Sequence, residues 1–329
     1  MKRIMHQVTI VILYYCPANA QLFRSNSPLV HTYSIVARDS VTGEMGVAVQ
    51  SHWFSVGTAV SWAEAGAGAV ATQSFVNKSF GIRGLELLKK GLTAQQALDS
   101  LLKNDEGREV RQVAIIDRKG NVATHTGKGC IQYATQIQGN QFSVQSNMML
   151  GDQVSNSMAA AFRKSADKPL GERMLLALEA AQEAGGDIRG QQSAALLIVP
   201  AKSEGKPWDE RTVDLRVDDS NDPIKELRRL FTVQLAYEHM NKGDLAVEKN
   251  DMVGAMNEYN AAMKMIPGNL EMQYWTAITL ANNKQTGKAL PMLKKIFTRD
   301  RNWKELTRRL PAVKLLTVSE AELKKILAL

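Results

Sequence analysis

The sequence predicts an α+β fold followed by an all-helical region, on three observations. Up to about residue 217, short runs of small and β-branched residues alternate or stay continuously apolar between turn signals, the pattern of strands. Helical patterns sit among them in pairs, so sheets covered by helices make a layered domain. From Asp222-Pro223 onward the pattern is helical almost without interruption, and a 34-residue repeat can be traced in it.

The chain opens with "MKRIMHQVTIVILYYCPANA", which has the parts of a secretory signal: Lys2 and Arg3, an apolar run from Val8 to Tyr15, and Ala18-Asn19-Ala20 as a small-x-small cleavage site. The expectation is an exported protein, periplasmic or secreted, starting at Gln21, with residues 21–31 as an exposed leader. Tyr14 and Tyr15 are bulky where a lipoprotein signal has small residues, which argues against a lipid anchor at Cys16. The run is too short to cross a bilayer, and no later stretch reaches the roughly 18 apolar residues a span needs. Past the signal only Cys130 remains, so no intrachain disulfide can form.

The layered domain is expected over residues 32–217. "LVHTYSIVARDSVTGEMGVAVQS", residues 29–51, reads as a hairpin around Val41-Thr42-Gly43-Glu44. "GTAVSWAEA", "GAVATQSF", "QVAIIDRKG", "NVATHTG", "FSVQSNMM" and "AALLIVPA" read as further strands, with turns at Arg118-Lys119-Gly120-Asn121 and Gly139-Asn140. Helices are expected at 81–90, at 93–103 behind the cap Thr93, at 152–166, and at 170–184, where Gly185-Gly186 stops the pattern. A connecting segment and helix follow over 218–235. Residues 236–329 are expected to form a tetratricopeptide-like (TPR-like) domain: Gly243, Ala255, Tyr259, Ala262 and Pro267 fit offsets 8, 20, 24, 27 and 32 of the frame. One frame on stand Ala277, Leu280, Ala289 and Leu293, with Arg301 in place of the proline. Two such units cannot bury their faces alone, and should lean on the first domain or on the helix after Val318.

Charge divides the chain unevenly. Residues 21–223 carry 21 basic and 22 acidic side chains, whereas residues 224–329 carry 18 and 11, a net of +7. A basic face attracts polyanions, so a cell-wall polymer, lipid headgroups or an acidic protein partner is expected at the C-terminal helices, and no nucleic acid. A solvated helical face explains the same bias.

Motifs exclude several chemistries. There is no HExxH, no paired-cysteine zinc motif, no GxxxxGK[ST], and no dinucleotide fingerprint between strand and helix. No cofactor is demanded and no metal-ligand motif is present, which leaves a metal only to scattered Asp, Glu and His residues that meet in space. Catalysis would have to come from side chains the fold assembles: the hydroxyls Thr32, Ser34, Ser51, Ser55, Thr126 and Ser193, and the imidazoles His52 and His125, since a hydroxyl needs an adjacent base to become a nucleophile. His125 stands beside Thr126 and near Cys130, but a structural, hydrogen-bonded histidine remains the alternative for both imidazoles. In "GGDIRGQQSAALLIV", Asp187 and Arg189 can pair or grip an anionic group, and Gln192 and Ser193 set polar atoms at a strand start. Asn77 and Arg83 either line a pocket or cap a helix.

Together, "TYSIVARDSVTGEMGVAVQSHWFSVG", "AGAGAVATQSFVNKSFGIRGLELLKKG", "HTGKGC", "VQSNMM" and "GGDIRGQQSAALLIV" occur in an order and spacing that resembles the family known as domain of unknown function 1028, from residue 32 to about 217. "DDSNDPIKELRRLF" is similar to the segment after that domain, where relatives commonly carry a small peptidoglycan-binding-like domain. Here helical repeats take its place. The resemblance implies a four-layer αββα sandwich of the Ntn-hydrolase type. It also implies that Thr32 is the nucleophile, with its own freed amine as base, and Ser34 as the reserve. Asn147 and the Asp187–Ser193 loop would be polar groups of the pocket. That chemistry requires a cut between His31 and Thr32, which signal removal does not provide. Two functions therefore stay open: an exported hydrolase of small amides or wall peptides, and a binding protein that kept the fold without the chemistry. A homodimer is expected from the general prevalence of symmetric assemblies.

Overall fold

The computed structural model describes residues 29–329; the expected signal and most of the leader lie outside the described residues. In chain order the first domain runs β1 (Leu29–Val30), β2 (Thr32–Arg38), β3 (Met45–Ser51), β4 (Ser61–Glu64), β5 (Gly68–Phe75), α1 (Ser79–Lys89), α2 (Ala94–Leu102), β6 (Arg111–Asp117) and β7 (Val122–Thr126). It continues with β8 (Thr135–Gly139), β9 (Phe142–Ser146), α3 (Val154–Lys164), α4 (Leu170–Glu183), β10 (Ser193–Val199) and β11 (Val213–Val217). One sheet has the order β1-β5-β6-β7, with β4 sharing the β1 edge of β5; the other has the order β11-β10-β3-β2-β9-β8. All the pairings are antiparallel.

Strand periodicity assigns the faces. On β2, Ile35 and Ala37 point to one side and pack with Val144, Leu196, Met158, Phe162, Met174 and Leu178 under α3 and α4. The intervening Val36 joins Val47, Val49, Ala69, Ala71, Ala114 and Ile116 between the sheets. The far side of the smaller sheet, through Val70, Val113 and Ile115, is covered by Phe80, Leu85, Leu98 and Leu101 of α1 and α2. The layers are thus α, β, β, α, as the resemblance implied. Each large apolar side chain buried in this way contributes about 1.5–3 kcal/mol.

The helices fall where caps and periodicity put them. Thr93 accepts from the Gln96 amide while the Gln96 side chain accepts from the Thr93 amide, a reciprocal cap. α4 ends at Gly185 and Gly186, both with positive φ, which a residue without Cβ adopts at no steric cost.

The boundary near residue 235 falls inside a continuous helix. α5 (Pro223–Glu248) starts at the Asp222 cap and is 26 residues long. Its first half places Ile224, Leu227 and Phe231 in the core under α4, where Arg228 also pairs with Glu172 at 2.8 Å and with Glu179. Its second half packs Ala236 and Met240 on Ala255, Tyr259 and Ala262 of α6 (Met252–Met265). A Cβ at position 243 would stand 2.3 Å from the Tyr259 ring, so glycine is needed where the two helices meet. In the second repeat, α7 (Leu270–Asn282) and α8 (Thr286–Arg299) bury Ala277, Leu280, Ala289 and Leu293 together. After α9 (Asn302–Arg309), α10 (Glu320–Leu327) adds Leu323 and Ile326 to that cluster and closes the array. Among the described residues no helix is long and apolar enough to cross a membrane.

Three local expectations need correction. The segment 29–38 is not one strand: Leu29 and Val30 pair with Phe75 and Ser74 in one sheet, and Thr32 onward pairs with β3 in the other. The leader is not exposed at its end, because Val30 and His31 are fully buried. The β8–β9 turn is centred one residue later than expected, on Asn140 and Gln141, with Gln141 at φ 60°. β8 and β11 were also not anticipated; their sequences, "TQIQG" and "VDLRV", are polar at alternate positions because one face of each is left partly uncovered.

Candidate active site

Halfway along the space between the sheets the lining changes from aliphatic to polar. The inward positions of β2, β3, β5, β6 and β9 beyond this point are Thr32 and Ser34, Ser51, Gln73, Gln112, and Gln145 with Ser143, and Asn147 follows β9; all are buried. Such groups are stable there only if they satisfy one another. Ser34 Oγ donates to Gln73 Oε1 and accepts from Gln145 Nε2, both at 2.6 Å. Gln112 Oε1 accepts from Gln73 Nε2 at 2.7 Å and from Asn147 Nδ2 at 2.8 Å, while Gln112 Nε2 reaches the Thr126 hydroxyl and the Ser146 carbonyl. The network ends on the backbone of Thr32, whose carbonyl accepts from Gln73 Nε2 at 3.2 Å and from the Asn147 amide at 3.1 Å.

The chain crosses between sheets at His31, directly before Thr32. Its carbonyl oxygen accepts from the Ser51 hydroxyl and, at 2.9 Å, from Arg189 Nη2. Arg189 is held in turn by Asp187, with Nε on Oδ1 at 3.0 Å and Nη2 on Oδ2 at 2.7 Å. Asp187, nearly fully buried, also accepts from the amides of Arg189 and His52. The His31 ring donates through Nδ1 to Asn147 Oδ1 and meets Phe75 edge-on, and its Nε2 is buried without a hydrogen-bond partner among the described residues. Thr32 Oγ1 donates to the Val30 carbonyl at 3.1 Å. The residue bearing this hydroxyl directly follows a peptide carbonyl that accepts from one neutral and one cationic donor. This is the arrangement that stabilises an oxyanion at that carbonyl.

Of the residues singled out from sequence, Thr32, Ser34, Asn147, Asp187 and Arg189 converge here. His52, exposed, and Gln192 lie at the rim: His52 Nδ1 faces the Gln191 carbonyl at 3.2 Å, and Gln192 donates to Asp219 at 3.1 Å. Ser193 accepts from the Val56 amide at 3.0 Å and donates to the Trp53 carbonyl, fixing the loop after β3. His125 is elsewhere. Strand alternation puts it on the outer face of the smaller sheet, with Nε2 on the Arg108 carbonyl at 2.8 Å, so it cannot serve Thr32. Asn77 caps the start of α1 through the Ser79 amide and hydroxyl, and Arg83 is exposed on that helix. Burial pushes the Cys130 thiol up, which suits a packed side chain rather than a nucleophile. Gln73, Gln112 and Gln145 were missed; the signal available for them was an amide at an inward position of an otherwise apolar strand. Among the described residues no group of three His, Cys, Asp or Glu side chains is placed to hold a metal ion. A groove of about 610 Å³ between the β4 and β11 edges, lined by Trp62, Leu85, Leu197 and Arg216, does not reach Thr32.

The model of the "Family of unknown function (DUF1028)" matches residues 32–227. The chain belongs to this family. A solved member, protein SPO2555 from Silicibacter pomeroyi, is 31% identical and superposes with a TM-score of 0.55 over 61% of this chain and 84% of that one. Anbu (ancestral beta-subunit) from Yersinia bercovieri matches at 14% identity and a TM-score of 0.30, over 60% of this chain and 92% of that one, a likeness too slight to bear on function. No curated protein matches. The DUF1028 match starts at Thr32, so β1 and His31 precede the matched domain, and Val30 and His31 are both buried against it.

The burial of His31 should respond to acid. Burial lowers the His31 pKa below its ordinary 6.5, Arg189 lowers it further, and Asn147 and Asp187 oppose both. The unfolded or undocked segment takes up a proton first as the pH falls through 6.5, so docking loses stability from there down to the folded value. Thermal unfolding of the full chain, scanned downward from pH 7.5, is expected to show this slope. His31→Gln should flatten it.

Proposed function

We propose that this DUF1028 chain is the precursor of an Ntn-type amidohydrolase that acts outside the cytoplasm, with Thr32 as its nucleophile once the His31–Thr32 bond is cut. One observation carries the reading: the carbonyl held by Ser51 and Arg189 is the one immediately before Thr32. Attack of Thr32 Oγ1 on that carbonyl carbon breaks the C–N bond and moves the acyl group from nitrogen to oxygen, the hydroxyl proton going to the departing nitrogen. Water then hydrolyses the ester, leaving a carboxylate on His31 and a free amine on Thr32. The freed amine can accept the Oγ1 proton in later turnovers. When residues 29–31 leave, the position vacated by the His31 carbonyl, with its two donors, suits the carbonyl of a small amide or a wall-derived peptide. The signal-like residues 1–20 support the site of action.

The test is intact mass with N-terminal sequencing of the exported protein. A chain beginning at Thr32 is expected. An amide-hydrolysing protein that still begins at Gln21 overturns the mechanism. The burial of Thr32 behind Val30 and His31 favours a second reading, a binding protein that keeps its leader docked. In that case the chain begins at Gln21 and hydrolyses nothing.

A further inference from the structure

The positive charge of the helical region is concentrated at its end. Residues 224–283 carry six basic and seven acidic side chains, whereas residues 284–329 carry twelve and four, a net of +8. Within that segment the chain makes a tight turn over Leu310–Val313, and Lys314 follows at φ 60°. Leu310 and Leu316 are buried on either side of the turn, and between them Val313 is 64% exposed and Leu315 52% exposed. The turn is fastened to the end of α7: Asn282 Nδ2 donates to the Leu315 carbonyl at 3.0 Å, and the Thr317 amide donates to Asn282 Oδ1 at 2.8 Å. Two aliphatic side chains are therefore presented to solvent on a backbone that is held from both ends.

Cations flank them along the chain and near the Asn282 contact. Lys314 lies between the two in sequence, and Lys284, exposed, follows Asn282 by two residues. Arg308 and Arg309, both exposed, end α9 on the other side; Glu305 pairs with both and can neutralise only one. From Lys284 the charge continues along α8 through Lys288, Lys295 and Arg299, opposite the buried Ala289, Leu293, Ile296 and Phe297. The acids nearby, Glu320 and Glu322, open α10, and Glu322 is engaged by Thr286 and Ser319.

We infer that the Leu310–Leu315 turn docks this protein on an anionic lipid surface, with Val313 and Leu315 entering the headgroup region and the flanking lysines and arginines facing lipid phosphates. Charge complementarity selects the partner. A soluble polyanion would use the cations but gives no reason for two aliphatic side chains among them, whereas an interface that is charged outside and apolar beneath uses both. No spanning helix is needed.

Vesicle co-sedimentation of the full chain tests it, with phosphatidylcholine alone and with about one-third phosphatidylglycerol. Binding is expected only to the anionic vesicles and should weaken in high salt. The pair Val313→Ser and Leu315→Ser, both on the surface, is expected to leave thermal stability unchanged and to lower partitioning by roughly tenfold or more. Lys284→Glu with Lys314→Glu is expected to abolish it. Absence of binding to anionic vesicles overturns the proposal. So does binding that the two serines leave unchanged, which would mark a general polyanion or protein-binding face instead.

Discussion

Arg189→Ala is expected to damage the protein twice, once in stability and once at the His31 carbonyl. Asp187 is almost wholly buried, and Arg189 is its counter-charge through two side-chain hydrogen bonds. Removing one member of a buried pair leaves the other charge uncompensated, which costs about 3–5 kcal/mol where nothing else solvates it. Here Arg189 is partly open to solvent and Asp187 keeps the amides of Arg189 and His52, so a loss of about 2–3 kcal/mol is expected. Denaturant unfolding measures it. The double variant Asp187→Asn with Arg189→Ala should be less destabilised than the sum of the two singles, because the uncompensated charge is gone. Arg189→Lys separates the two effects. It retains the charge but cannot hold Asp187 and the His31 carbonyl in one planar fork. Its stability loss should be smaller than that of alanine, while any cleavage before Thr32 should slow by roughly 10²–10³, the scale of a lost oxyanion donor.

How far this site was legible from sequence depended on whether its parts were local. The Thr93 cap, the stop at Gly185-Gly186 and the spacing of Gly243, Ala255, Tyr259 and Ala262 are properties of short segments, and the structure uses them as their periodicity suggests. Asp187 and Arg189 could be paired on paper because they stand two residues apart on one loop. That Arg189 also reaches the His31 carbonyl, 158 residues earlier, could not. The chain's change of sheet at His31 was equally hidden. "LVHTYSIVARD" alternates well enough for one strand, yet Leu29 and Val30 pair with β5, Thr32 onward pairs with β3, and Asn147, Ser51 and Arg189 hold His31 at the crossing. The glutamines fall between these cases. Each occupies an inward strand position where an aliphatic residue would satisfy the pattern, and an inward amide implies a polar partner. Sequence indicates that such partners must exist, and the fold determines that Gln73, Gln112 and Asn147 satisfy one another while Ser34 and Ser143 meet Gln145.

Thr32 decides between the two functional readings, because its side chain contributes little to the fold and would contribute everything to the chemistry. Among the described residues its hydroxyl donates to the Val30 carbonyl, and the side chain is fully buried, so Thr32→Val should cost about 1 kcal/mol and Thr32→Ala, which also loses a buried methyl, about 1–2 kcal/mol. Under the hydrolase reading neither variant can be cut before residue 32, and the intact mass should rise to that of a chain beginning at Gln21. Thr32→Ser keeps the hydroxyl and should yield a chain beginning at residue 32, at a changed rate. Since the free amine and the hydroxyl belong to one residue, amide hydrolysis must be absent in alanine and valine and present in serine. Under the binding reading wild type and all three variants share one N terminus and one stability within about 2 kcal/mol. A protease acting in trans gives a third pattern: Thr32→Ala is cut like the wild type, yet it loses hydrolysis alone. The maturation step and the catalytic step are thus read from one set of variants, one by mass and the other by turnover. Only the hydrolase reading in which the chain cleaves itself requires both to fail together.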